Sequence, residues 1–158
     1  DQASYGQFAE VIDNVYCIAR YEGDIRVQSW WGKSALGYRN GLRIRVFGSE
    51  GSAEWYQMAP ETLQISDNKG TTTCLDRGSM EAGLALELRY NRFKAGHPSG
   101  FIEAFGNLYT DIAADFHNYS AAKSIPNEFV YGALSAAGGM QFLEAILESS
   151  RTSQWISM

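Results

Sequence analysis

Between Val15 and Asp76 apolar and polar positions alternate in short runs, whereas after Gly96 the apolar positions recur every three or four residues. The first period belongs to strands and the second to helices. VYCIARY (15–21), IRVQSWW (25–31), LRIRVFG (42–48), SAEWYQ (52–57), TLQIS (62–66) and TTTCLD (71–76) read as six strands. Glu22-Gly23-Asp24 joins the first two as a hairpin, Ser49-Glu50-Gly51 and Asp67 to Gly70 make later turns, and Gly32 to Gly41 is a polar loop. Connections this short predict an antiparallel meander. In the third run Leu42, Ile44 and Val46 point one way and Arg43, Arg45 and Phe47 the other.

The helical period is clearest from Gly96 to Phe116. Phe101, Ile102, Phe105, Leu108, Tyr109, Ile112 and Phe116 form one apolar stripe, which predicts a helix lying on a core. Pro98 suits the first helical position and leaves His97 at the N-cap, where the helix disfavours an imidazolium and frees the ring to hydrogen-bond a ligand. Glu103, Asn107 and Asp111, on the other side, read as a solvated row. Met80, Leu84, Ala85 and Leu88 predict a short helix between Arg77 and Lys94. Asn118 to Pro126 is a polar connection, and Asn127 is the N-cap of a last helix running to about Ser150. Gly138-Gly139 inside that helix predicts close approach to a neighbouring backbone. Residues 1 to 14 read as an arm.

Strands first and helices afterwards make an α+β fold: a mostly antiparallel sheet of about six or more strands, helices on one face and the other face open. Without a repeat or linker, residues 1–158 read as one domain. Arg26, Gln28 and Trp30 alternate out of one strand, Arg43, Arg45 and Phe47 out of another, and Ala53, Trp55 and Gln57 out of a third. Aromatics among arginines on an open face predict a protein interface.

Composition narrows the function. The 158 residues are 45% apolar with a formal net charge of -5, and no basic run argues for nucleic acid or an anionic membrane. No apolar stretch has bilayer length and no signal-peptide pattern opens the chain, so a soluble, cytoplasmic protein is expected. The chain begins at Asp1, which reads as a processed protein or a piece of one. Cys17 and Cys74 read as ordinary thiols, and neither His97 nor His117 has a neighbour at metal-ligand spacing. No metal site and no nucleophilic constellation follow, so no residue is assigned a catalytic role.

Three stretches carry more. GLRIRVFGSEGSAEW (41–55), AGHPSGFIEAFGNLY (95–109) and FLEAILESSRTSQW (142–155), in this order and spacing, resemble the C-terminal domain of the Gfo/Idh/MocA family, the glucose-fructose oxidoreductases and inositol dehydrogenases. DNVYCIARYEGDIR (13–26) resembles that domain's opening hairpin. The resemblance implies a parent NAD(P)-dependent oxidoreductase acting on a sugar, polyol or related hydroxy compound. NAD or NADP would then bind to a Rossmann domain whose Gly-rich turn and Glu-Lys-Pro motif are absent here, and this chain alone would bind neither. The family's catalytic Asp…His pair has no counterpart between Asp1 and Asn14.

What the resemblance places here is a wall of the substrate cleft, with Tyr38, Arg39 and Asn40 in one loop and Lys94 and His97 in the other. It also implies a homo-oligomer formed through the open sheet face, with Arg43, Arg45, Phe47, Trp55 and Trp30. The rival reading is a non-enzymatic assembly or carbohydrate-binding module.

Overall fold

The computed structural model describes residues 13–121 and 127–158. The expected arm at 1–14 and the connection at 118–126 lie for the most part outside the described residues. The architecture is α+β. Six strands come first: β1 (Asn14–Tyr21), β2 (Ile25–Gly32), β3 (Arg43–Phe47), β4 (Gly51–Tyr56), β5 (Thr62–Asp67) and β6 (Thr72–Asp76). A 3-10 segment follows at Met80–Leu86, then helices α1 (Phe101–Ser120) and α2 (Ala133–Thr152).

The strands form two antiparallel sheets, β1-β2 and β3-β4-β5-β6, where the alternation predicted one of about six. The hairpin connections bind their strands into register, but the ten residues from Lys33 to Leu42 do not form a hairpin turn, and no ladder joins β2 to β3. The chain divides into two compact units, one of the described residues up to Arg39 with Ala137–Met158, the other of the described residues within Asn40–Ala136.

In the first unit Tyr21 pairs with Ile25 across the three-residue connection, and the ladder runs to Asn14 opposite Gly32. The Arg20 guanidinium lies 4.9 Å from the ring centroid of Trp155, fastening the segment after α2 to β1.

In the second unit the register sorts the sheet's faces. Ile44, Trp55, Leu63 and Leu75 form one cross-strand row, and Val46, Ala53, Ile65 and Thr73 the next on the same face. The opposite face carries Arg45, Glu54, Gln64 and Cys74 in one row and Phe47, Ser52, Ser66 and Thr72 in another. Trp55 therefore does not share a face with Arg43, Arg45 and Phe47, as the sequence reading had it. It faces Ile44, because strand partners directly opposite point to the same side. Trp30 belongs to the other sheet. Among the described residues the buried ones are Leu75 and Arg77, each 8% exposed.

Helix α1 departs from expectation in two ways. Its first residue is Phe101 and its N-cap is Gly100, so Pro98 is not the first helical residue and His97 is not the cap. Glu103 supplies the cap instead, accepting a hydrogen bond from the Gly100 N–H at 2.8 Å. Most of its apolar stripe is also exposed, with Ile112 half-buried. The stripe residues Phe101, Ile102, Phe105, Leu108, Tyr109 and Phe116 are exposed, while Glu103, Asn107 and Asp111 are half-buried. Asp111 takes a two-pronged ion pair from Arg89 (2.7 and 3.3 Å), whose guanidinium also lies 3.7 Å from the Phe129 ring centroid, and this holds a polar side of the helix against its neighbours.

Asn127 does not cap α2 either. Its amide donates to the Asp111 carbonyl and its side-chain oxygen accepts from the Phe129 N–H, which makes a local turn. Among the described residues nothing lies within 4 Å of a Cβ built at Gly138 or Gly139, where the sequence predicts a close neighbouring backbone.

Candidate functional site

The two loops singled out by sequence fall in different units. Tyr38 and Arg39 belong to the first, and Asn40, Lys94 and His97 to the second. In the first unit Tyr38 ends a turn closed by its N–H on the Ala35 carbonyl (3.2 Å), and its ring meets Trp30 edge-on with centroids 6.0 Å apart. Trp30 in turn stacks on Tyr16 at 6.2 Å. All three rings are exposed, as are Arg39 and Asn40.

The second unit offers a more built site. Lys94 to His97 is a tight turn, closed by the His97 N–H on the Lys94 carbonyl at 3.0 Å. Gly96 holds φ at +89°, the value a type II turn requires at its third position and one that a side chain would strain. Both Lys94 and His97 are exposed.

What fixes this turn is a pair that sequence reasoning missed. The ladder that sets Leu63 opposite Leu75 extends one step further, with the Arg77 N–H donating to the Glu61 carbonyl at 2.8 Å. Side-chain alternation then puts Glu61 and Arg77 in line with Leu63 and Leu75, an acid facing a base at the end of an apolar row. Arg77 Nε donates to Glu61 Oε2 at 2.6 Å. Its Nη1 reaches Asn91 Oδ1 and the Phe93 carbonyl, both at 3.3 Å, and its Nη2 donates to the His97 carbonyl at 3.1 Å. Glu61 Oε1 accepts from both the N–H (3.1 Å) and the hydroxyl (3.3 Å) of Ser99.

Burial alone would raise the Glu61 carboxyl, but the hydrogen bonds from Arg77 and Ser99 and the Arg77 charge together hold it below its ordinary value. Holding residues 97 to 99 in this way also explains why α1 starts at Phe101 and not at Pro98. The signal for this pair was present in the strand alternation, since Glu61 and Arg77 each stand two positions beyond an inward leucine.

Among the described residues no group of three His, Cys, Asp or Glu side chains is placed to hold a metal, and no helix is long and apolar enough to cross a membrane. The described residues do not fit a dinucleotide either. Every strand pairing among them is antiparallel, so they contain no parallel βαβ unit of the kind that binds a pyrophosphate. The start of α1 is closed by the Glu103 carboxylate, which repels a phosphate.

No protein-family model matches the chain. The uncharacterized oxidoreductase YfiI of Bacillus subtilis (strain 168) is 27% identical over 161 aligned positions, covering 98% of this chain and 40% of that protein. The crystal structure of an oxidoreductase from Sinorhizobium meliloti superposes with a TM-score of 0.76 at 28% identity, over 98% of this chain and 44% of that one. An inositol dehydrogenase homologue from Azotobacter vinelandii, complexed with NADH and myo-inositol, is 32% identical with a TM-score of 0.62, over 70% of this chain and 29% of that one. The chain is homologous to Gfo/Idh/MocA-type oxidoreductases. It spans less than half the length of these Gfo/Idh/MocA-type relatives, and what it matches is their C-terminal portion.

Proposed function

We propose that this chain is the single substrate-facing and assembly domain of a cytoplasmic, NAD(P)-dependent oxidoreductase that acts on a sugar, polyol or related hydroxy compound. The observation that carries the reading is the Azotobacter vinelandii homologue, complexed with NADH and myo-inositol, at 32% identity. The held turn at Lys94–His97 supports it from the side of chemistry. A hydroxyl-rich ligand is selected by hydrogen-bonding groups that are already in place, since a buried hydroxyl left unpaired is costly. An ammonium, an imidazole and nearby backbone groups meet that need in this unit, and Tyr38 and Arg39 offer a phenol and a guanidinium in the other. The nicotinamide cofactor supplies the hydride chemistry from the parent protein, and this chain's part is to bind and orient the substrate.

The test is turnover. The full-length natural gene product, assayed with NAD+ and NADP+ against a polyol panel that includes myo-inositol, is expected to reduce the cofactor. His97→Ala is expected to raise KM for the accepted polyol about tenfold, the loss of one or two hydrogen bonds. Saturable polyol binding with no turnover on either cofactor favours instead a carbohydrate-binding module, for which the exposed Tyr16, Trp30 and Tyr38 rings would be the stacking surface.

Assembly belongs to the same proposal. The face of β3–β6 that carries Arg43, Arg45 and Phe47 is the homo-oligomer surface. Phe47 is 75% exposed at the end of an otherwise polar row, a placement that suits a partner better than water.

A further inference from the structure

We propose that Arg77 is the positioning residue of the His97 turn, one guanidinium that fixes the backbone presenting Lys94 and His97 to a polyol hydroxyl; this rests on the substrate reading above. The peptide groups of His97 are held on both sides. Its N–H is taken by the Lys94 carbonyl, and its carbonyl by Arg77 Nη2. Arg77 simultaneously binds Asn91 and Phe93 on the approach to the turn. Glu61 completes the clamp: it balances the buried cation and takes both Ser99 donors on the far side. A 3.5 Å contact from Nη1 to the Tyr90 carbonyl is long and adds little.

The clamp needs a planar fork. A lysine at this place brings one compact charge, which can meet Glu61 but cannot span carbonyls on several sides. Close packing reinforces the same point, because a side chain built at Gly78 would come within 2.7 Å of Ala95 Cβ, inside the turn itself. A buried cation with this many partners is unusual among the described residues, where the other buried side chain is Leu75. Its acceptors beyond Glu61 all lie in the segment that leads to His97. That distribution marks a device for setting the loop, since an arginine that served the sheet alone would spend its donors on the sheet.

The test compares the full-length natural protein with Arg77→Lys, His97→Ala and the double variant, using amide hydrogen exchange and steady-state kinetics with myo-inositol. Glu61→Gln keeps the shape of the pair and serves as the second route should Arg77→Lys fail to fold. In Arg77→Lys, exchange across residues 90–99 is expected to quicken roughly tenfold while β4, β5 and β6 keep their protection. KM for myo-inositol is expected to rise about tenfold, and the double variant to fall well short of the product of the two single effects, because the part of Arg77 that acts through His97 is lost once His97 is gone.

Unchanged exchange at 90–99, a loss of protection spread evenly over β4–β6, or full additivity in the double variant would each overturn the proposal. If the natural protein neither binds nor turns over myo-inositol, the polyol reading fails on that substrate. The exchange comparison still decides whether Arg77 sets the turn.

Discussion

Glu61 makes the clamp sensitive to acid. Its carboxyl binds a proton less readily in the folded chain than in the unfolded one, so its contribution to stability is complete above the ordinary carboxylate range and is lost as pH falls through its lowered value. Denaturant unfolding measured across acidic pH is expected to show this slope, and Glu61→Gln to flatten it. Gly78→Ala tests the packing on the other side of the pair. The added methyl group must displace Ala95, at a cost of about 1–3 kcal/mol in the same measurement. Neither residue drew notice in the sequence because charged and small residues at strand ends ordinarily face water. His97 did draw notice, but for a role at a helix start that the structure gives to Gly100 and Glu103. A cap depends on which nearby side chains compete for residues 97 to 99, and those competitors lie more than 15 positions upstream, out of reach of any local pattern.

Strands were far more legible than their assembly. All six were recognisable to within a residue or so, because alternation and turn chemistry are both local signals. Which strands share a sheet was not, since nothing in Lys33 to Leu42 specifies a partner for β2. The face of Trp55 was misjudged for a related reason: register is set by pairing, and a shift of one residue exchanges the two faces. The correction yields a sharper prediction for assembly. Phe47→Glu is expected to shift the natural protein toward monomer in analytical ultracentrifugation, whereas Trp55→Glu, on the apolar face, is expected to lower its thermal midpoint. An oligomer unmoved by Phe47→Glu would remove the polar face from consideration. On α1, periodicity found the helix but not the half-buried place of Asp111, because the pair it forms with Arg89 joins residues 22 positions apart.

At the scale of the molecule, the chain spans less than half the length of its relatives and matches their C-terminal portion. A titration of NAD+ into the 158-residue chain is accordingly expected to register no binding; saturable binding would place a nucleotide site on elements not credited with one. The α+β class and the family resemblance were both legible in the sequence, since each rests on ordered segments spread over nearly the whole chain. The position of the second site loop was not, because Tyr38 and Arg39 stand in one compact unit and Asn40 in the next. One feature of the sheet makes its surroundings directly observable. Cys74 is an exposed thiol in the cross-strand row of Arg45, Glu54 and Gln64, on the face proposed for assembly. The sheet therefore carries its own reporter: a maleimide dye would react with it readily on a bare face and slowly on a covered one, so dilution alone would turn labelling speed into a readout of association.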